Sequence, residues 1–304
     1  MRVGWSQRVG FQVSPAPQQA SAPTASTGPQ APGEAEAFAG LRDLVLAAGG
    51  IDLDLYKDSC VLRRIMLRIH SCGVPDLRGY LRLVSKDPVE RGRLVKALTI
   101  QVSQFFRNPS TFRAIQDEVL PVILTDKARA GGRALRLWSV GCAHGEEPYS
   151  LAILLLEGGE GVATRYATAI YATDIDPSSL RRAKEGRYPA TSLTNVPTRW
   201  QERYFRQHGN HAGVTPEVRR LVFFKRHSVL DPSPFGRIDL VVFRNVLIYM
   251  TEALQERVLL ALFDALNPGG FLVLGKVEGL AGAARERFEA VNLSERVYRK
   301  PAGS

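Results

Sequence analysis

The sequence has few cysteines and lacks both a long apolar run and a secretory leader pattern. Its three cysteines, Cys60, Cys72 and Cys142, form neither a CxxC pair nor an even disulfide framework. This argues against disulfides and a structural zinc site, and predicts no metal. No stretch reaches the roughly 18 consecutive apolar residues of a membrane-spanning helix, and the first residues lack the apolar core of a signal peptide. We therefore expect a cytoplasmic protein without membrane insertion.

The apolar content is typical of a folded protein, and the net charge suits acidic partners. The 304 residues are 45% apolar and carry a formal net charge of +10, so a sizeable core is available and anions are attracted. Nucleic acid, anionic lipid and a carboxylate-rich protein surface all remain candidates, because net charge alone does not choose among them.

The chain divides into three stretches of different pattern. Residues 1–38 are rich in Pro, Ala, Gln, Ser and Thr and predict a disordered arm. Residues 39–124 have helical apolar spacing and predict a small all-helical domain. Residues 125–304 alternate strand-like and helix-like runs, which predicts a parallel α/β sheet, with a turn-rich insertion at 188–224.

A glycine-rich turn follows the first predicted strand, in SVGCAHGEEPYS (139–150). Gly141 and Gly145 permit a tight turn, and Glu146 and Glu147 open the next helix. The turn fits neither the phosphate-binding nor the dinucleotide pattern, and its carboxylates would repel phosphate. A positively charged nucleoside without phosphate, S-adenosylmethionine, suits it better. Simple complementation of the helix dipole by the two glutamates is an equally good alternative.

Polar residues also follow the second and fourth predicted strands. In open α/β sheets, ligands lie beyond the carboxyl ends of the strands. Asp174 of ATDID stands where an acid takes ribose hydroxyls, with a capping role as the alternative, whereas Asp176 before Pro177 predicts a helix N-cap. FRNVLIYM places Arg244, Asn245 and Tyr249 on the same rim.

These motifs resemble the CheR family of chemotaxis receptor methyltransferases, which make glutamyl methyl esters with S-adenosylmethionine. The resemblance extends from about Leu41 to Tyr298 and includes LTIQVSQFFRNPSTF, similar to the family's linker motif. It implies a Rossmann-like methyltransferase domain after a helical N-terminal domain, and identifies the insertion with the family's small antiparallel β-subdomain. The loop QHGNHAGVTPE in that subdomain is short, so we expect substrate recognition without a receptor tether.

Site residues follow from the resemblance, position by position. Arg107 matches an arginine thought to act in catalysis, and Tyr249 matches the tyrosine beside the transferred methyl group. Binding of S-adenosylmethionine, with S-adenosylhomocysteine as product, is expected from the following residues: Gln101, Ser103, Arg107, Gly141, Glu147, Asp174, Ser228, Val229, Arg244 and Asn245.

A basic helix is the expected substrate-binding element. Arg63, Arg64 and Arg68 lie close to one face at helical spacing, and the resemblance assigns this face to the cytoplasmic helices of methyl-accepting chemoreceptors. A solvated surface is the alternative. We expect a monomer with no nucleic-acid partner.

Several positions depart from the family pattern. Gln101, Ser103 and Ser228 stand where Asn, Thr and Asn are usual, His144 replaces a small hydroxyl residue, and Lys276 lies in a changed motif after the fifth strand. Two other functions therefore stay open: a methyltransferase of the same fold acting on RNA or a small molecule, and a catalytically weakened, cofactor-binding regulatory module.

Overall fold

The computed structural model describes residues 33–99, 103–158 and 162–303. These residues group into two compact units. The helical unit comprises 33–99 together with Tyr249–Leu254, and the sheet unit comprises the remaining described residues. Residues 103–124, which the sequence pattern assigns to the helical domain, group with the sheet unit. The predicted disordered arm lies almost entirely outside the described residues, as does Gln101.

Four helices form most of the helical unit. They are α1 (Glu34–Gly49), α2 (Asp58–Cys72), α3 (Leu77–Lys86) and α4 (Pro88–Leu98), with a 3-10 turn at Leu53–Leu55. Local chemistry sets their ends. The Asp76 carboxylate accepts the Gly79 N–H, and the Asp87 carboxylate accepts the N–H groups of Val89 and Glu90, so each caps its helix. Gly73 ends α2 in the left-handed conformation.

A buried carboxylate ties three of these helices together. The Glu90 side chain is 3% exposed and receives a fork of hydrogen bonds from Arg68, with Arg68 Nη2 2.7 Å from Glu90 Oε2. The Tyr80 hydroxyl donates to Glu90 Oε1 at 2.8 Å. Burial by itself raises the pKa of Glu90, but the hydrogen bonds from Arg68 and Tyr80 outweigh it and leave that pKa below its ordinary value.

The sheet unit contains nine helices in its described part. They are α5 (Pro109–Ala114), α6 (Leu120–Arg129), α7 (Glu146–Glu157), α8 (Val162–Arg165), α9 (Pro177–Glu185), α10 (Thr198–Tyr204), α11 (Pro216–Arg219), α12 (Glu252–Ala265), whose first residues group with the helical unit, and α13 (Ala284–Arg287). A π-helical turn, Ile115–Val119, joins α5 to α6. As predicted, Asp176 caps α9 by accepting the N–H groups of Ser178 and Ser179.

Ten strands form two sheets in this unit. They are β1 (Ala134–Val140), β2 (Ala167–Asp174), β3 (Arg187–Pro189), β4 (Phe205–His208), β5 (His211–Val214), β6 (Val222–Arg226), β7 (Ile238–Phe243), β8 (Leu266–Leu274), β9 (Glu289–Asn292) and β10 (Val297–Arg299). The large sheet has the order β6-β2-β1-β7-β8-β10-β9, and the small antiparallel sheet has the order β3-β5-β4. The predicted fold class is therefore confirmed.

The large sheet is parallel from β6 to β8 and antiparallel at its end. Leu137 of β1 lies opposite Ile170 of β2 and Leu240 of β7, so the first strand is central. The β9–β10 pair forms a terminal antiparallel hairpin. Two details differ from the sequence pattern: β6 belongs to this sheet although the predicted insertion runs to 224, and α12 passes into β8 without a loop.

The core of the sheet unit explains why these runs form strands. Leu135, Leu137, Leu240, Val242 and Val273 are fully buried, as expected for parallel strands covered on both faces. None of the helices in the described ranges is long and apolar enough to cross a bilayer.

We expect Glu90→Gln to destabilise the protein by about 2 kcal/mol. The substitution leaves the Arg68 guanidinium without its anion. Breaking a fully buried ion pair costs about 3–5 kcal/mol of stability. The expected loss is smaller here because the Arg68 side chain is 23% exposed and regains some hydration. Urea unfolding measures the difference. Asp43→Asn removes an exposed charge from α1 and should shift the free energy of unfolding by less than about 0.5 kcal/mol. Equal effects of the two variants would contradict the anchoring role.

The advantage of wild type over Glu90→Gln should also depend on pH. The folded-state pKa of Glu90 is lowered, so its charge contributes fully above the unfolded-state pKa of about 4.3. The contribution then disappears as the pH falls through the lower folded-state pKa. Unfolding curves for both proteins between neutral and strongly acidic pH test this, and a difference independent of pH would refute it.

Candidate active site

The strand order creates a crevice at the carboxyl end of β1. From β1 the chain runs to β2 and β6 on one side, whereas β7 and β8 lie on the other. Such a switch point is where open α/β sheets hold ligands, because the connections leave in opposite directions. The turns after β1, β2, β6 and β7 therefore converge on one rim.

Backbone conformation in the turn after β1 depends on its two glycines. Gly141 and Gly145 have φ of +68° and +96°, and Ala143 between them has φ of +47°. A Cβ on Gly145 would lie 3.0 Å from Ala183 Cβ and 3.1 Å from the Tyr188 hydroxyl. Gly145 therefore allows close packing within the protein, whereas Gly141 is exposed on the rim.

The Asp174 carboxylate joins the turns after β1 and β2. Its Oδ2 accepts the Ala143 N–H and its Oδ1 accepts the Asp176 N–H, each at 2.9 Å. Burial raises the pKa of Asp174, and these backbone hydrogen bonds oppose the rise. An ionised carboxylate has about four acceptor sites, so the capping and ligand-binding interpretations are compatible.

An ion pair between Glu147 and Arg244 links α7 to the turn after β7. Arg244 Nη1 lies 3.2 Å from Glu147 Oε2, and the Arg244 side chain is only 2% exposed. The Ser139 hydroxyl donates to the other Glu147 oxygen at 2.8 Å. Burial raises the pKa of Glu147, and the Arg244 charge opposes the rise. Both Glu147 oxygens therefore already have protein partners.

Arg244 also fixes the segment that carries Arg107. Its Nη2 donates to the Arg107 carbonyl and to Asn108 Oδ1, both at 2.8 Å. The Phe106 N–H donates to Ser150 Oγ on α7 at 3.0 Å. Phe106 and Asn108 both have positive φ, a costly conformation outside glycine that tends to cluster at functional sites. The charge of Arg107 also opposes the rise that burial causes in the pKa of Glu147.

Glu146 is the other carboxylate of the turn, and one of its oxygens is unsatisfied. The residue is 4% exposed, and its Oε2 is buried without a hydrogen-bond partner among the described residues. Burial raises the pKa of Glu146, and a hydrogen bond from Ser103 opposes the rise. The sequence pattern favoured Glu147 over Glu146 as the residue that faces a ligand, yet Glu146 is the one that retains an unused buried acceptor.

Glu278 is a site residue that the sequence reasoning did not identify. Its Oε2 accepts the N–H groups of Asn245 at 2.8 Å and Gly275 at 2.7 Å, and its Oε1 accepts the Ile248 N–H at 3.3 Å. A Cβ on Gly275 would lie 2.9 Å from the Asn245 nitrogen. This carboxylate therefore holds Asn245 at positive φ, +62°. In the sequence, only the glycine and the glutamate of GKVE (275–278) indicated that this residue belongs to the site.

Ser228 and Val229 follow β6 and lie beside the turn of Asp174. The preceding His227 donates its N–H to the Asp174 carbonyl at 3.1 Å, which joins the two strand ends. Ser228 Oγ accepts the Leu230 N–H at 3.2 Å. Burial lowers the pKa of His227, whose ring packs against Trp138.

His144 departs from the family pattern. Its main chain is held in place by a hydrogen bond. Its carbonyl accepts the Tyr188 hydroxyl at 2.6 Å, and its ring Nε2 lies 3.4 Å from Arg182 Nη1. The side chain type is therefore of less structural consequence than the position of the main chain.

Four predicted residues group with the helical unit. Tyr249 accepts the Lys57 N–H through its carbonyl, and the Arg64 guanidinium lies 5.8 Å from the Tyr249 ring centroid. Arg64 Nη1 also donates to the Ala97 carbonyl at 2.8 Å, and Arg68 is bound to Glu90 as described above. Arg63 is exposed.

Known proteins resemble both parts of the chain. The family described as "CheR methyltransferase, SAM binding domain" matches residues 101–297, and "CheR methyltransferase, all-alpha domain" matches residues 36–99. The putative methyltransferase Cher3 of Pseudomonas putida is 36% identical over 259 residues, which cover 82% of this chain and 91% of that protein.

Two further relatives show the range of lengths. A chemotaxis protein methyltransferase of Listeria innocua is 34% identical over 80% of this chain and 90% of its own length. A 104.1 kDa protein of Rhodobacter capsulatus is 34% identical over 87% of this chain, which spans only 27% of that protein. The sheet unit and the helical unit thus correspond to two domains of one enzyme family, and the chain belongs to the CheR methyltransferases, which bind S-adenosylmethionine.

Proposed function

We propose that this methyltransferase forms glutamyl methyl esters on the cytoplasmic helices of chemoreceptors. The names of relatives such as the Listeria innocua protein support a role in chemotaxis. The structural observation that carries the proposal is the Arg244 guanidinium, which holds the Arg107 main chain next to Glu147 at the strand ends. An arginine placed beside the cofactor site suits a carboxylate substrate.

The polar groups of the rim fit S-adenosylmethionine. A nucleoside with a sulfonium and hydroxyls but no phosphate requires acceptors, and Glu146, Glu147 and Asp174 supply carboxylates there. Glu146 Oε2, which has no hydrogen-bond partner among the described residues, is an acceptor whose burial without a partner is costly. The residues proposed to hold the cofactor are Gln101, Ser103, Arg107, Gly141, Glu147, Asp174, Ser228, Val229, Arg244 and Asn245, with Glu146 added by its unpaired oxygen.

The protein's task in this reaction is alignment rather than proton transfer. When bound, the cofactor supplies a methyl group on a sulfonium. The target carboxylate is already ionised near neutral pH, since the reference pKa of Glu is about 4.3. Holding the carboxylate oxygen in line with the methyl group and excluding water can supply about 7–11 kcal/mol.

Arg107 and Tyr249 are the proposed catalytic residues. The negative charge on the substrate oxygen disappears as the ester forms, so a tight clamp on that oxygen would stabilise the ground state more than the transition state. Arg107 therefore orients the reactants without pinning the nucleophile, and Tyr249 provides a wall beside the methyl group. The Arg244 and Ser150 contacts set the position of Arg107 before substrate arrives.

The surface of α2 is the proposed receptor-binding element, but its three arginines are not equivalent. Arg68 is engaged by Glu90 and Arg64 by the Ala97 carbonyl, which leaves Arg63 as the most available cation. Met66 and Leu67 on the same helix are 51% and 61% exposed. A cation next to exposed apolar side chains matches a receptor helix that carries both glutamates and apolar positions.

Arg107→Ala should lower kcat by about 100-fold, because misplacing the reactants by about 1 Å costs that much. The assay mixes labelled S-adenosylmethionine with receptor-containing membranes and measures base-labile methanol. Arg129→Ala, at an exposed position of α6, is the control and should retain full activity. Urea unfolding verifies that the variant is folded.

Three outcomes would contradict this proposal. Equal methanol release from wild type and Arg107→Ala would remove the role of Arg107. Methyl label in base-stable RNA would favour the RNA alternative. Binding of S-adenosylhomocysteine by wild type without any methyl transfer to a cognate receptor would favour a regulatory module.

Arg63→Glu should raise the KM for receptor about fivefold and leave kcat unchanged, since an exposed ion pair contributes at most about 1 kcal/mol. Initial rates at several receptor concentrations measure the effect, which should shrink at high salt. Arg82→Glu makes the same charge change at an exposed position of α3. Equal losses from both variants would show a general charge effect instead of a specific surface.

A further inference from the structure

The exposed face of the small sheet forms a cavity with a glycine floor. Gly213 of β5 lies opposite Arg187 of β3 and opposite Arg206 of β4. Paired residues in antiparallel strands project to the same face, so the two arginine side chains flank a position that has no side chain. With strands about 4.8 Å apart, their Cα atoms lie about 10 Å apart. The resulting cavity has a volume of about 400 Å³.

Cations predominate around this cavity. Arg187, Arg206, Arg219 and His208 line it, and Glu185 is its one acidic lining residue. Within the part of the chain that the structure describes, none of the three arginines forms an ion pair. The Arg219 guanidinium is oriented by a hydrogen bond to the Lys184 carbonyl. The cavity thus concentrates positive charge, which Glu185 compensates only in part.

Thr215 supplies a second, independent sign of a ligand. This residue lines the cavity and is 3% exposed, yet its Oγ1 is buried and has no hydrogen-bond partner among the described residues. A buried hydroxyl without a partner costs free energy, so such groups usually have one. A ligand oxygen could accept the hydroxyl proton of Thr215.

We propose that this cavity binds the polyphosphate group of a small, nucleotide-sized molecule. Arginine guanidinium groups present paired donors that match phosphate oxygens. Three arginines against Glu185 leave an excess of about two positive charges, which one peptide carboxylate would not balance. The volume also exceeds what one carboxylate fills and lies within the usual range for small-molecule sites, about 300–1,000 Å³.

The cavity is separate from the candidate active site but shares a strand with it. Arg187 projects to the exposed face of β3, whereas Tyr188, next to it, projects to the buried face and donates to the His144 carbonyl. The lining residues belong to the sheet unit and include none of those proposed to hold S-adenosylmethionine.

Calorimetric titration of the full chain with inorganic tripolyphosphate tests the proposal. This probe lacks adenosine, which could enter the cofactor site, and we expect binding that weakens as salt rises. Arg187→Gln and Arg206→Gln should each weaken it about tenfold, the loss expected for one charge-assisted contact. Arg181→Gln removes an exposed arginine of α9 outside the cavity and should not change the affinity.

A shape variant separates a built site from general charge attraction. A Cβ on Gly213 would have no neighbour closer than 3.8 Å, so Gly213→Val should fold normally while filling the cavity floor. It keeps every charge and should still weaken binding at least about tenfold. Unchanged binding of S-adenosylhomocysteine in each variant verifies an intact fold.

Competition identifies the ligand class. With S-adenosylhomocysteine saturating the cofactor site, ATP should displace tripolyphosphate. The proposal is overturned if tripolyphosphate fails to bind at millimolar concentration, if Arg181→Gln weakens it as much as Arg187→Gln, or if Gly213→Val leaves it unchanged. A glutamate-rich peptide that binds more tightly than tripolyphosphate and responds to the same variants would assign the cavity to an acidic protein segment instead.

Discussion

The buried guanidinium of Arg244 is the interaction on which the candidate active site depends. The Arg244 side chain contacts three groups: Glu147 at the start of α7, the main-chain carbonyl of Arg107, and the side chain of Asn108. A planar group with several fixed donors can hold three partners at once, which a lysine cannot do. Because the pair is almost completely shielded from water, its partners cannot exchange freely with solvent, and the segment that carries Arg107 keeps one conformation.

Two other carboxylates of the rim serve as anchors for backbone N–H groups. Asp174 joins the turns after β1 and β2, and Glu278 joins the turns after β7 and β8. Each turn contains a residue with positive φ, Ala143 or Asn245, whose strain the hydrogen bonds offset. Acidic side chains therefore hold the turns of the rim in one arrangement.

Local patterns predicted the elements that form this rim. The apolar runs of β1, β2 and β7 end in glycine or polar residues, and Asp176 before proline identifies a helix start, as the structure confirms. The position of β6 in the large sheet was less visible, because Phe223 and Lys225 make its run partly polar and partly exposed. Short edge strands bury little, so their pattern is weak.

Contacts between distant residues could not be predicted from the pattern. The pairing of Arg68 with Glu90 joins residues on different helices, and it engages a predicted substrate-binding residue in an ion pair within the helical unit. Glu278 accepts the N–H of Gly275 within GKVE, but its other two partners, the N–H groups of Asn245 and Ile248, lie far from it in sequence and are not revealed by this motif. Likewise, Glu146 and Glu147 look alike in the sequence, and only the structure shows which of their carboxylate oxygens accept hydrogen bonds.

The two faces of the small sheet have different roles, and the alternation of side chains along β3 links them. Side chains alternate along a strand, so a shift of one residue would bury Arg187 and expose Tyr188. Such a shift would also withdraw the hydroxyl that holds the turn after β1. Natural variation in the length of this insertion should therefore concentrate in the exposed turn at Gly209 and Asn210, where residues can be added without exchanging the two faces.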